Sequence, residues 1–320
     1  MRVPSLLLFA TLIAAPALAQ NERWILISGT VGTFHTDARV FNPSFEKDIQ
    51  VTARFFPAAP EPVDNTGAAG SAGTTFTVTK RSMHVLNDVT TVLFNTSNLG
   101  AIQFTSADPF EVTSRIYSQQ ANGTLGQFGP GLAPTQARNK GAILQLKQNG
   151  ARGQQGTFRS NLGVLNAGPN TTTVSWRLYD RNNALAGTGD LTLPPFGVST
   201  PILMNSTFFW DQLTGGADLS DAWVSFSADQ PIFAYGSVLD NGTEDQTFIA
   251  AVDDVGVPPQ EPEPQPTTHT FDVTLRDFSI TLLIGIGFGI YSSVFVLAPM
   301  IVWFKRWQRS TRTRPRRKAA

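Results

Sequence analysis

The segment "FHTDARVFNPSFEKDIQVTARFFP", which begins at Phe34, returns as "FRSNLGVLNAGPNTTTVSWRLYD" from Phe158. Phe34 aligns with Phe158, Asn42 with Asn166, and Arg54 with Arg177 after a one-residue gap. Further on, "ADPFEVTSRIY" from Ala107 parallels "ADQPIFAYGSVLD" from Ala228, and "NGT" at Asn122 recurs at Asn241. The offset stays near 120 to 124 residues throughout. Self-similarity at one long period means that a single structural plan is used twice. The chain therefore divides near Ala137 to Gly141, into a module of residues 20–138 and a second of residues 139–257.

Inside each copy the apolar residues alternate. Val174, Trp176 and Leu178 share one face of "TTTVSWRLYD", and Ile49, Val51, Ala53 and Phe55 share one face of "DIQVTARFFP". Period-two alternation marks half-buried antiparallel strands. Turn residues punctuate them: Asn42-Pro43-Ser44, Ala167-Gly168-Pro169-Asn170, Asp180-Arg181-Asn182-Asn183, Pro194-Pro195 and Asp240-Asn241-Gly242. Short helical turns are expected at residues 87–94 and 206–213, each opened by a capping residue. The fold class that follows is mainly β: two tandem immunoglobulin-like β-sandwich domains plus one C-terminal transmembrane helix, with a jelly roll as the other sandwich that fits. Trp176 and Trp223 are expected in the core, as is the cluster Phe208-Phe209-Trp210. Residues 57–75, "PAAPEPVDNTGAAGSAGTT", form an insertion confined to the first copy and are expected to be a mobile loop.

The two ends of the chain differ from its middle. Residues 1–19 carry Arg2, an apolar run from Leu6 to Ile13 and the small-x-small sequence Ala17-Leu18-Ala19, the pattern of a secretory signal peptide. Cysteine is absent. An exported chain without it holds its domains together by core burial alone, and thiol catalysis, zinc-thiolate sites and iron–sulfur clusters are excluded. The net charge of zero hides a polarity: residues 20–257 hold 20 acidic and 14 basic residues, whereas residues 305–320 hold eight basic residues and no acidic one. An acidic bulk gives no reason to expect nucleic-acid binding.

The Pro-rich stretch "VPPQEPEPQPTT", residues 257–268, supplies most of residues 258–274, which read as an extended stalk. Residues 280–304 carry no charge over 25 positions, enough for a membrane helix of about 20 residues. The expected helix spans residues 275–304, and the basic tail, residues 305–320, stays cytoplasmic. Trp303, Lys305, Arg306 and Trp307 are the candidate membrane-interface anchors. Gly285 and Gly289 stand four apart, followed by Ser292 and Ser293. Small residues on one face permit close helix packing, which makes these four the candidate helix-packing residues.

Within this segment, Arg276-Asp277-Phe278, Leu283-Ile284-Gly285, Gly289 and Tyr291-Ser292-Ser293-Val294-Phe295 give residues 275–299 a close resemblance to the last membrane helix of the SecD/SecF protein-export family. In that family the helix belongs to a proton-driven bundle. Proton coupling needs ionisable groups inside the membrane, and residues 280–304 have none. Residues 21–257 in turn resemble repeated β modules of bacterial secreted and surface proteins of unassigned function, a likeness that brings no active site with it.

No constellation of catalytic residues emerges. His35, His84 and His269 have no metal-ligand spacing. His35 is expected as a solvated residue at a strand edge. Asp240, Glu244 and Asp245 could approach calcium but lack the alternating spacing of an EF-hand loop, and Asn241-Gly242 is a hairpin turn signal. No catalytic residue, cofactor or metal is therefore expected. The sequence reads as a non-catalytic single-pass protein of the bacterial inner membrane. Its modules would stand outside the cytoplasm for binding, adhesion or scaffolding, with membrane lipid as one partner. The alternative is an accessory component of Sec-type export, whose helix associates with itself or with another envelope or translocon membrane protein.

Overall fold

Each alternating segment becomes a strand in the computed structural model, which describes residues 21–203 and 217–254. The first copy contributes β1 (Asn21–Ser28), β2 (Phe34–Phe41), β3 (Ile49–Ala59), β4 (Thr74–Val78), β5 (Met83–Leu86), β6 (Gly100–Ser106), β7 (Glu111–Gln120) and β8 (Gly123–Pro130). Two antiparallel layers result, in the order β4-β3-β6-β1 and β5-β2-β7-β8.

The second copy contributes β9 (Arg138–Leu146), β10 (Phe158–Leu165), β11 (Thr172–Tyr179), β12 (Leu185–Leu193), β13 (Val198–Ser199), β14 (Ile202–Leu203), β15 (Ala222–Asp240), β16 (Gln246–Ala250) and β17 (Val252–Asp253). Its layers have the same order. β12, β11, the first part of β15 and β9 form one, while β13 and β14, β10, the last part of β15 and β16 form the other. The long strand β15 replaces both β6 and β7. As far as Ala228 it pairs with β11, and from Phe233 it pairs with β10. Pro109 and Pro231 lie at the two places where the chain changes sheet, and proline has no N–H to give to a ladder.

The strand phase follows the sequence where one face is core. Val174, Trp176 and Leu178 are buried, as are Ile49, Val51 and Ala53. Trp223 does not follow it. Ala222, Val224 and Phe226 take the inward positions, and Phe226 meets Trp176 at 5.3 Å between ring centroids. Trp223 therefore points outward, stacks on Tyr179 at 4.1 Å and donates its indole N–H to Asn183 Oδ1 at 3.0 Å. In "AWVSF" the run Ala-Trp-Val is apolar on both faces, so alternation alone could not assign the inward side.

The insertion at residues 57–75 also has more structure than a bare loop. It holds the end of β3 and a helical turn, α1 (Thr66–Ala69). Just before that turn Asn65, 5% exposed, donates its side-chain amide to the carbonyls of Pro57 (3.2 Å) and Phe196 (2.9 Å). A second helix, α2 (Val89–Phe94), occupies the expected place but opens at Asp88, whose side chain makes no capping bond. The expected turn at residues 206–213 and the Phe208-Phe209-Trp210 cluster lie outside the described residues. So do the signal peptide, stalk, membrane helix and tail. Among the described residues no helix is long and apolar enough to cross a membrane.

Asn42 and Asn166, which align in the repeat, make the same set of bonds. Each is fully buried just after β2 or β10. Asn42 Nδ2 reaches the carbonyls of Lys47, Val78 and Thr79 at 3.0, 3.0 and 3.2 Å, and its Oδ1 accepts from the Ser44 N–H at 2.9 Å. Asn166 Nδ2 reaches those of Asn170, Pro194 and Leu193 at 2.7, 2.9 and 3.4 Å, and its Oδ1 accepts from the Gly168 N–H at 3.0 Å. In both copies one amide ties the turn after the second strand to the end of the fourth.

The halves are joined by more than the chain. Each has its own core, and a third apolar cluster lies between them: Trp24, Leu26, Phe56 and Leu132 of the first half pack against Leu165, Val198, Phe233 and Tyr235 of the second. β13 runs parallel to the end of β3, with Val198 beside Ala58 and Ser199 beside Ala59. The described residues thus fall within one compact unit.

Truncating either clamp leaves buried carbonyls without a donor, at a cost of about 1–3 kcal/mol. Asn42→Ala and Asn166→Ala should each lower stability to chemical denaturant by that amount, followed by tryptophan fluorescence. The exposed Asn182→Ala should stay within about 0.5 kcal/mol of the parent.

Candidate functional site

The outward face of the β10, β15 and β16 layer is turned toward the first half. Pairing register sets its side chains in rows. Arg159, Leu239 and Gln246 stand side by side, then Asn161 and Ser237, then Gly163 and Tyr235. The Tyr235 ring lies over Gly163 so closely that a Cβ at 163 would sit 2.2 Å from it, which leaves glycine as the residue that fits. Tyr235 is 3% exposed, and burial pushes its phenol well above the ordinary value. It therefore stays a hydrogen-bond donor at physiological pH.

Opposite this face the first half presents Ile27, Val31, Phe34, Leu99 and Ile116. The space between is a cavity of about 230 Å³. Its two walls differ: the first half supplies most of the apolar side chains, and the second half most of the polar ones. Among the described residues Arg159 is the one charged residue that lines it, and no carboxylate does. One hydrogen bond crosses between the halves there, from Ser237 Oγ to Gln127 Oε1 at 3.1 Å, with both residues buried. Gln246 Nε2 is buried and has no hydrogen-bond partner among the described residues. A concave, mainly apolar site with a few convergent polar groups is the usual form of a small-ligand site.

The rim explains what the acidic turn at residues 240–245 does. Arg159 donates to Asn241 Oδ1 at 2.9 Å and to Glu244 Oε2 at 2.8 Å, while Arg152 Nε donates to Glu244 Oε1 at 2.7 Å. Asp240 Oδ1 accepts from the N–H groups of Gly242 and Thr243, both at 2.8 Å. All three carboxylates weighed for calcium are thus engaged: Glu244 by guanidinium groups, and Asp240 and Asp245 by backbone N–H groups, the latter from Gln246 at 3.0 Å. Among the described residues no group of ligands is placed to hold a metal ion. Burial alone would raise the Glu244 pKa, but the bonds from Arg159 and Arg152 outweigh it and hold the carboxyl below its ordinary value.

His35 lies near the start of β2, outside the Ala38–Phe41 stretch that pairs with β5, and is paired with Tyr117 of β7; its side chain is partly exposed. It stacks on Tyr117 at 5.6 Å and approaches Asp88 at 3.4 Å. His84 stacks on Phe76 at 4.7 Å. The residues singled out for helix packing and membrane anchoring (Gly285, Gly289, Ser292, Ser293, Trp303, Lys305, Arg306 and Trp307) lie outside the described residues. The cleft residues went unnoticed in the sequence. Arg159 and Gln246 become neighbours through the register of three strands, and the first-half wall arrives only when the halves close. One signal was present: "IFAYGSVL", residues 232–239, reads as a strand covered on both faces, and all eight residues are buried.

Among known proteins, the family described as "Protein export membrane protein SecD/SecF, C-terminal" matches residues 270–307. That stretch includes all eight packing and anchoring residues. No curated protein matches the chain. A solved structure, "Crystal Structure of Thermotoga maritima 1070", is similar at 13% identity, over 36% of this chain and 93% of that one, with a TM-score of 0.28. This is too low to bear on the fold.

Because the Glu244 carboxyl is held low when folded, its ion pairs stabilise the protein above the unfolded value near 4.5. That contribution is lost as the pH falls through the lower folded value. Glu244→Gln should therefore be less stable than the parent at about pH 6, and the difference should shrink by about pH 3. Thermal unfolding across that range measures it. A difference independent of pH would assign the effect to packing.

Proposed function

We propose that this chain is a non-enzymatic, single-pass protein of the bacterial inner membrane, with its β-rich region outside the cytoplasm as a binding or scaffolding unit. In this reading residues 1–19 direct export. Residues 20–138 and 139–257 are two sandwiches of immunoglobulin-like type, residues 258–274 are the stalk, and residues 275–304 cross the bilayer, with the basic tail inside. The observation that carries the reading is the SecD/SecF match at residues 270–307, which coincides with the 25 uncharged positions and the basic run behind them. The match speaks for association with a membrane. Trp303 and Trp307 would sit at its interface and Lys305 and Arg306 on its cytoplasmic side. The nested pairing of β2 with β7 and of β3 with β6 supports a Greek-key sandwich, the connection that immunoglobulin-like domains use. The cavity between the halves supports a binding role by its form, an apolar wall facing a few polar groups.

The family match favours a second reading, an accessory of Sec-type export. The helix alone brings no proton-coupling residue, so its contribution would be docking through Gly285, Gly289, Ser292 and Ser293.

Two measurements separate these readings. Protease added to spheroplasts should remove the β region and leave a membrane fragment that carries the tail; full protection would overturn the topology. Gly289→Leu should abolish co-purification with translocon components under the export reading, with membrane insertion unimpaired, whereas Val296→Leu should have less effect. Unchanged behaviour in both variants would leave the helix as an anchor.

A further inference from the structure

We propose that the cavity between the halves is a binding site for a small organic anion: a compact aryl or short acyl body with a carboxylate head. This inference names a ligand class for the binding reading above and does not depend on the membrane topology. Size sets the body. A cavity of about 150 Å³ lined by apolar side chains is enough to hold benzene, and this one is about 230 Å³. The surplus leaves room for a few further atoms beyond a ring, far short of a long lipid chain. Ile27, Phe34, Leu99 and Ile116 form the apolar wall that would cover the body.

Polarity sets the head. Arg159, Asn161, Tyr235 and Gln246 line the opposite wall, and among the described residues no acidic one does. Arg159 spends two of its nitrogens on Asn241 and Glu244, so it is held in place at the cavity edge. Gln246 Nε2 is buried and has no hydrogen-bond partner among the described residues, and the Tyr235 and Asn161 side chains line the same wall. A buried donor without an acceptor is destabilising. That cost is retained in the free protein and relieved when an acceptor enters. Hydrogen bonds to a charged acceptor are the stronger kind, which favours a carboxylate over an alcohol. A free amine would bring more donors to a wall that already has an excess of them.

The test uses the full-length protein in lipid nanodiscs, with empty nanodiscs as the blank, and 3-phenylpropionate as the probe. Its alcohol and amine counterparts, 3-phenylpropan-1-ol and 3-phenylpropylamine, are the comparison. Calorimetric titration should give saturable binding of the carboxylate, weaker binding of the alcohol and none of the amine. Gln246→Leu removes the orphan donor at similar volume. It should raise the thermal midpoint of the ligand-free protein by about 2–4 °C while it weakens the probe by about tenfold. Leu99→Trp, which fills the apolar wall, should abolish binding; should that variant fail to fold, Gln246→Leu decides alone. Absence of saturable binding above the blank overturns the proposal. So does preference for the amine, and so does probe affinity unchanged in every folded variant. Because protease accessibility in spheroplasts is read without any ligand, failure here leaves the topology standing, and failure there leaves the cavity chemistry standing.

Discussion

Closure of the two halves over Trp24, Phe56 and Phe233 is the contact on which the rest of this architecture depends. The Trp24 and Phe56 rings are 5.0 Å apart, and Trp24 and Phe233 are 6.4 Å apart. All three side chains are 1% exposed or less. Full burial of one large apolar side chain is worth about 1.5–3 kcal/mol, so three at one seam outweigh any single hydrogen bond that crosses it. A chain without cysteine has no covalent alternative. Once the seam is closed, β13 can run beside β3, Asn65 can reach Phe196, and the cavity acquires its second wall.

The seam also explains why the two copies have diverged where they have. Strand pairing places His35 beside Tyr117 and Asp37 beside Arg115 in the first half. The corresponding rows in the second half are Arg159 with Leu239 and Asn161 with Ser237. Arg39 corresponds to Gly163. In the first half this face is at the surface and carries alternating charge, with Arg115 above the Tyr117 ring at 5.0 Å. In the second half the same face is covered, and burying unpaired charges there would be costly. Small and uncharged residues replace most of the charged ones. Arg159 is the exception, and it keeps its charge beside Glu244.

How much of this was readable in advance follows from the range of each interaction. The strands, the turns and the repeat are local or periodic, and Val174-Trp176-Leu178 showed its inward side directly. Trp223 was misassigned because Ala222, Trp223 and Val224 offer apolar groups to both faces, and only the competition with Phe226 for the space beside Trp176 decides. Asn42 and Asn166 were visible as a matched pair, but their reason was not: each satisfies carbonyls some 30 residues away in the sequence, as with Val78 and Leu193. The cavity is the least legible feature. It belongs to neither copy: its second-half wall is the outer face of β10 and β15, while Phe34, Thr36 and Ile116 of its first-half wall lie in phase with the core residues Ala38, Val40 and Val112.

After β16 the chain doubles back across the second half. β17 turns back to pair with β9, with Val252 beside Ala142 and Asp253 beside Gly141, and Arg138 Nη1 donates to Asp253 Oδ1. Gly141 makes this approach possible, since a Cβ there would meet the Phe226 ring at 2.5 Å and the Val252 carbonyl at 2.9 Å. Arg138 opens β9, the first strand after the boundary between the halves. The described region thus ends against β9, next to that boundary, rather than against β16. β16 keeps its pairing with β15 through Gln246–Ala250, and it is the strand that brings Gln246 to the cavity.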